Sequence, residues 1–299
     1  MRKVDGYELL DSGGGRKLER FGRYVLARPC SQAMWRPSLP EAEWNRADAS
    51  FDREDGNRWH GRANLPKEWT IETEGMRLRL GGTDFGHLGV FPEQRAQWSW
   101  IRRTVSAAMR QPASGGRRPL LLNLFAYSGG STLAAALGGA EVCHLDASRG
   151  MVDWARENAR LNGLEGHPIR WIVDDAHKFM RREVRRGRRY DAVVLDPPTF
   201  GRGAGGEMYK IERDLGETLG LVKELLSERP LFVLFSSHTP GLSRVVAENL
   251  LSQAFPSARV ESGEMLLEGR GMKCPSGVYC RAVFGILSAG TNKERGVET

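Results

Sequence analysis

Cysteine is scarce: Cys30, Cys143, Cys274 and Cys280 are the only four in 299 residues. They are scattered, with no CxxC. Although His144 follows Cys143 directly, no second pair stands at metal-ligand spacing. That argues against a disulfide framework and against a zinc site, so no metal is expected and a reducing cytoplasm is the natural location. An apolar run behind the charged start Met1-Arg2-Lys3 is also missing, which argues against a signal peptide. A GxGxxG fingerprint is absent, which argues against a nicotinamide dehydrogenase. No internal repeat is evident. The chain also lacks an uninterrupted membrane-length segment. Residues 119–140 carry no charge and are long enough to suggest a span, but Asn123, Tyr127, Ser128, Gly129, Gly130 and Ser131 break them in the middle. A buried parallel strand, a Gly-rich turn and a buried helix explain that stretch better.

What remains is ordinary for a globular protein, with 40% hydrophobic and 27% charged residues. A net charge of +7 fits a polyanionic partner without requiring one. Residues 1–85 are rich in Arg, Gly, Pro and Trp, with Pro29, Pro37, Pro40 and Pro66 as punctuation. Strands are expected at 24–27, 69–72 and 76–80, the last from the alternation of Met76, Leu78 and Leu80 with Arg77 and Arg79. This reads as a small β-rich domain for substrate recognition, with an unstructured loop around 49–62. A loop at 83–92 leads into a helix at 93–109, where Trp98, Ile101 and Val105 share one side. Residues 111–118 form a polar connector.

From there strands and helices alternate. Strands are expected at 120–124, 141–146, 169–174, 192–195 and 231–235. Between and after them come helices at 131–137, 149–162, 176–186, 213–226 and 242–252, with Gly163 and Gly187 as stops. Strands at 259–267 and 278–284 close the chain, and residues 289–299 read as a disordered tail. Such alternation means βαβ units: an α/β, doubly wound, Rossmann-like parallel sheet over residues 86–288 with helices on both faces.

Ligands in such sheets bind beyond the carboxyl ends of the strands. The first strand runs into Phe125-Ala126-Tyr127-Ser128-Gly129, small residues that let backbone amides approach a ligand. The second ends in Asp146, placed to accept ribose hydroxyls or to cap the helix begun by Ala147-Ser148-Arg149. The third ends in Asp174-Asp175-Ala176, where one carboxylate can cap a helix and the other accept from an adenine amino group. The fourth ends in Asp196-Pro197-Pro198-Thr199-Phe200. Two prolines after an acid stiffen that loop and fix where Asp196 points.

Taken together, Asn123 to Gly130, Leu145-Asp146-Ala147-Ser148, Asp153 to Asn158, Leu161 to Leu164 and Leu195 to Phe200 resemble class I S-adenosylmethionine methyltransferases. The branch they look most like holds the bacterial 23S ribosomal RNA methyltransferases. The resemblance is dense from 86 to 202, thinner to 284 and poor over the first 80 residues. It implies S-adenosyl-L-methionine as cofactor. Phe125, Ala126, Tyr127, Ser128 and Gly129 would wrap its methionine part, Asp146 with Ala147 and Ser148 would hold the ribose, and Asp175 with Ala176 the adenine. Asp196, Pro197, Pro198 and Thr199 would lie between sulfonium and target base, and the loop from His87 to Gln94, with Phe91 and Gln94, would close over the site. Tyr127 stands where the broader pattern has a first glycine.

Methylating carbon 5 of a pyrimidine usually needs a cysteine that adds to the ring. None lies in 196–200 or 235–238, and Cys274 reads as a core residue, so a base nitrogen of RNA, ribosomal RNA first, is the expected acceptor. Phe200 is placed to stack on an extruded base, Arg202 to meet RNA, and His238 either to take a proton or to serve structure. The basic run from Arg181 to Arg189 either tracks phosphates or answers a helix dipole. Alternatives are a protein methyltransferase, an inactive RNA-binding module of the same fold, and, third, a nicotinamide oxidoreductase.

Overall fold

The computed structural model describes residues 6–53, 56–111, 117–203 and 206–285. The amino-terminal part forms strands β1 (Tyr7–Gly13), β2 (Arg16–Phe21) and β3 (Tyr24–Pro29), a short helix α1 (Glu41–Trp44), then β4 (Ala49–Asp52) and β5 (Arg58–His60). These five strands make one sheet in sequence order, antiparallel except for β3 and β4. The expected loop around 49–62 therefore contains two paired strands, β4 and β5, and β1 and β2 were not anticipated. Their Arg, Glu and Gly content hides the alternation by which Tyr7, Leu9 and Phe21 turn to one core while Leu18 turns to the other side, against Ala27 and Trp44. A separate hairpin follows, β6 (Trp69–Thr73) with β7 (Met76–Leu80). A 3₁₀ turn at Pro92–Gln94 then opens α2 (Arg95–Met109).

The alternating region gives β8 (Leu120–Leu124), α3 (Gly130–Leu137), β9 (Glu141–Asp146), α4 (Arg149–Leu161), β10 (Ile169–Val173), α5 (Ala176–Arg185) and β11 (Ala192–Leu195). A hairpin that the sequence did not announce, β12 (Phe200–Arg202) and β13 (Met208–Lys210), leaves the Asp-Pro-Pro loop. Then come α6 (Ile211–Leu225), β14 (Phe232–Ser237), α7 (Arg244–Ala254), β15 (Arg259–Leu267) and β16 (Cys274–Val283). The expected tail at 289–299 and most of the 111–118 connector lie outside the described residues.

The large sheet runs β10-β9-β8-β11-β14-β16-β15. Its first five strands are parallel, and β16 inserts antiparallel beside β14. The expected all-parallel sheet is thus mixed at this end, because β15 and β16 form a hairpin after the last crossover helix. Alternate residues sort to opposite faces. Leu121, Val142, Val194 and Leu234 enter one core, with Trp98, Ile101 and Val105 of α2 and Leu133 of α3. Leu122, Cys143, Val193 and Val233 enter the other, under α5, α6 and α7. Both faces are buried, which is why the strands read as continuous apolar runs. The amino-terminal strands join the first core through Tyr7, Leu9, Phe21 and Leu26. No helix among the described residues is long and apolar enough to cross a membrane.

Strand order reverses between β8 and β11, and a crevice opens beyond their carboxyl ends.

Candidate active site

The turn after β8 is held in an unusual backbone. Phe125 and Tyr127 both adopt left-handed conformations, with φ of +54° and +50°. Each costs roughly 1–3 kcal/mol for a non-glycine residue. Tyr127 therefore stands in a conformation that favours glycine, and the surroundings enforce it. Its N–H donates to Asp146 Oδ2 at 2.9 Å, and Ala126 N–H donates to Leu145 O at 3.0 Å. The Phe125 ring rests on Tyr209 of β13, centroids 5.2 Å apart. Gly130 is needed for packing, since a Cβ there would lie 2.5 Å from the Trp98 indole.

Asp146 accepts from both sides, from Tyr127 N–H and from Ser148 N–H at 2.8 Å. Burial pushes its carboxyl up from the ordinary value, against those two amides. Ser148, not Asp146, caps α4, its hydroxyl accepting from Met151 N–H. Ala147 is half-buried and Ser148 exposed beside it. Next along the sheet edge, Asp175 caps α5 by accepting from Lys178 N–H at 2.9 Å, above a buried Ala176. Asp174 pairs with Arg182.

Across the crevice, Asp196 directly follows β11. Gln94 Nε2 donates to Asp196 Oδ2 at 3.1 Å and to Ser236 Oγ at 3.0 Å. His238 Nε2 faces the same Oδ2 at 3.6 Å. Asp196 Oδ1 is buried without a hydrogen-bond partner. His238 Nδ1 donates to Ser276 O at 2.7 Å and lies 3.6 Å from Glu93 Oε1, to which Ser276 Oγ donates at 2.8 Å. Burial opposes a charge on His238, but the Asp196 and Glu93 carboxylates and the Ser276 carbonyl outweigh it and lift the imidazole to about 9. Phe91 links the two walls, its ring 5.2 Å from both Tyr127 and His238. The pocket between them is lined by Val90, Phe91, Phe125, Tyr127, Ser128 and Asp196, among others.

The structure thus brings Phe91, Gln94, Phe125, Ala126, Tyr127, Ser128 and Asp196 to one crevice, with Asp146 behind it on the Tyr127 amide. Pro197 is buried, Pro198 and Thr199 are exposed, and Thr199 Oγ1 sits 2.9 Å from Thr239 Oγ1. Phe200 (49% exposed) and Arg202 lie farther out on β12, beside Lys210 and an open groove that Thr199, Glu212 and Arg213 also line. Gln94, expected at the substrate, is buried, and its amide is committed to Asp196 and Ser236. In the basic run, Arg181, Arg182 and Arg186 pair with Glu217, Asp174 and Glu183, leaving Arg185, Arg188 and Arg189 exposed. Cys143 and His144 face opposite sides of the sheet: Cys143 joins the α5–α6 core, while His144 reaches Thr132 of α3. Sequence reading missed Glu93, Ser236 and Ser276. The one available signal was an acid, Glu93, inside an otherwise buried turn.

An acid at the second strand end, a strained turn at the first and an acid with a buried, unpartnered oxygen at the fourth form a crevice at a topological switch point that fits a nucleoside-type cofactor. The lining suits S-adenosylmethionine: an acid for hydroxyls, and apolar walls from Val90, Phe91 and Phe125.

Residues 49–230 match the S-adenosylmethionine-dependent methyltransferase family, and the chain belongs to it. S-adenosylmethionine is its cofactor. The crystal structure of an S-adenosylmethionine-dependent methyltransferase from Agrobacterium tumefaciens is similar, 37% identical with a TM-score of 0.86, over 93% of this chain and 90% of that one. A methyltransferase structure from Streptococcus mutans shares the fold at 17% identity and a TM-score of 0.71, covering 94% and 76%. Among curated proteins, the ribosomal RNA large subunit methyltransferase K/L of Shewanella sp. (strain ANA-3) is 33% identical over 180 residues, which is 59% of this chain and 24% of that protein. The chain spans about a quarter of the length of the curated relatives it matches.

Proposed function

We propose that the protein methylates a base nitrogen in RNA, with large-subunit ribosomal RNA in the cytoplasm as the first substrate to test. The observation that carries this reading is Asp196. Its Oδ2 is held by Gln94 and faces His238, while its Oδ1 is buried without a hydrogen-bond partner in a residue that lines the crevice. An acceptor left without a partner there fits the N–H of a base amine or imine, which it would align for in-line attack. No thiol accompanies it: Cys274 is buried and packs against Cys30. That argues against carbon-5 chemistry, which needs a covalent cysteine. The names of the ribosomal RNA methyltransferases that share a third of their aligned residues supply the substrate class.

In this reading Asp146, flanked by Ala147 and Ser148, would take the ribose hydroxyls, and the 125–129 turn the methionine moiety. Asp175 and Ala176 would meet the adenine. When bound, S-adenosylmethionine supplies a methyl group activated by its sulfonium. Asp196 to Thr199 would orient the acceptor nitrogen, and Phe91 and Phe200 would flank the base and exclude water. Arg202, Lys210 and the exposed end of the basic run would meet phosphates. We assign residues 1–85 to substrate recognition and 86–288 to the methyltransferase unit.

The test is incubation with methyl-labelled S-adenosylmethionine and either total RNA or total protein from cells lacking this activity. Label in a modified base, lost with Asp196→Ala, is the expected result. Label in protein alone would overturn the RNA reading and leave the family assignment standing.

A further inference from the structure

Two cysteines that the methyl-transfer reading leaves unused meet in space. Cys30 follows β3, Cys274 opens β16, and their Sγ atoms lie 3.0 Å apart across a sequence separation of 244. Both are free thiols. They are not equivalent. Cys30 is half-buried and within reach of a small oxidant, while Cys274 is fully buried. The hydrogen bond from Cys274 lowers the Cys30 thiol to about 7. Burial opposes this, and the Lys17 charge and the Ala33 backbone assist. Cys274 is correspondingly pushed well up. The reachable sulfur is thus the nucleophile and the buried one its resolving partner. Cys143 and Cys280 differ: burial pushes them up to about 11 and about 12.

We propose that Cys30 and Cys274 form a reversible modification site, at which a peroxide-class oxidant joins them in a disulfide. The Cys30 thiolate attacks a peroxide oxygen and the O–O bond breaks, leaving a sulfenic acid on Cys30 and a hydroxide that takes a proton from solvent. Cys274 sulfur then attacks the Cys30 sulfur. The S–O bond breaks, and the departing hydroxide takes the Cys274 proton and leaves as water. Two thiols lose two electrons in all, and the peroxide becomes two waters. The new bond ties the end of β3 to β16 two residues before Ser276, whose hydroxyl holds Glu93 and whose carbonyl accepts from His238.

The full chain is reduced, freed of reductant, exposed to a small excess of hydrogen peroxide, alkylated and digested for mass spectrometry. The expected result is loss of two of the four thiols and a peptide linking Cys30 to Cys274, reversed by dithiothreitol. In Cys274→Ser, Cys30 should instead be trapped by dimedone. In Cys30→Ser, Cys274 should stay reduced. A wild-type protein that accumulates a dimedone adduct on Cys30, with Cys274 still alkylatable after unfolding, would overturn the proposal. So would one in which neither thiol reacts. The wild-type measurement decides even where a variant fails to fold.

Discussion

The clearest perturbation is Asn158→Ala. Trp154 and Asn158 of α4 and its capping residue Asn162 lie four residues apart and serve the free edge of β7 where another strand would otherwise pair. Trp154 Nε1 donates to Arg79 O at 3.0 Å, and Asn158 Oδ1 accepts from Arg79 N–H at 2.8 Å. Asn162 Oδ1 accepts from Arg77 N–H, and its Nδ2 donates to Arg77 O. Asn158 also donates to Ser128 O at 2.9 Å, so one fully buried amide joins the β6–β7 hairpin to the turn after β8. Truncation leaves a backbone N–H and a buried carbonyl without partners, each worth about 1–3 kcal/mol. A loss of about 2–6 kcal/mol follows, and at about 2–4 °C per kcal/mol for a domain of this size the midpoint should fall by about 4–24 °C. Asn158→Asp should do at least as badly, because an acceptor would then face Ser128 O. Thermal unfolding gives the stability, and calorimetric titration with S-adenosylmethionine gives the affinity, which should weaken as the turn loosens. A midpoint within about 1 °C of wild type, with unchanged affinity, would refute the bridging role.

Removing the Asp146 carboxylate strips partners from Tyr127 N–H and Ser148 N–H, so Asp146→Ala should lose at least tenfold in S-adenosylmethionine affinity by calorimetry; unchanged binding rejects its ribose role. Gly89 has φ of +85°, and a Cβ there would come within 2.2 Å of the Trp154 ring. Gly89→Ala should therefore lower the unfolding midpoint by several degrees, and a tolerated alanine would mean that Trp154 moves freely. His238, lifted to about 9 between Asp196 and Glu93, holds its charge through neutral pH. Because its folded value is raised, its stabilising contribution is fully present below the ordinary 6.5 and disappears as pH climbs through about 9. Its ring-proton titration by NMR should show a midpoint near 9, and one at or below 7 would contradict the ion pairs.

Much of the molecule is legible in the order of residues because local rules are strong in its middle. The apolar runs at 120–124 and 192–195 sit between polar turns, and no other placement buries them. The position of Asp146 and Asp196 at strand ends beside the crevice follows directly, since it is set by where their strands' runs stop. The antiparallel insertion of β16 is not legible, because a strand's direction depends on its partner and leaves no local trace. The amino-terminal sheet is equally obscure. Arg28 and Glu19 lie buried in it, and their charge hides a core pattern that becomes visible only once they pair with each other at 2.7 Å.

The sequence by itself determined the alternating α/β scaffold, the acids at its strand ends and the absence of a thiol from the Asp-Pro-Pro loop, because each depends on residues close together in the chain. Only the tertiary structure decided what those acids face. Asp196 meets Gln94 and His238, and Glu93 meets Ser276, across separations of 102, 42 and 183 residues. Cys30 meets Cys274 in the same way. Such contacts come from strand order and from the packing of the amino-terminal sheet on the shared core. Those are properties of the whole buried surface, and no local run of residues encodes them.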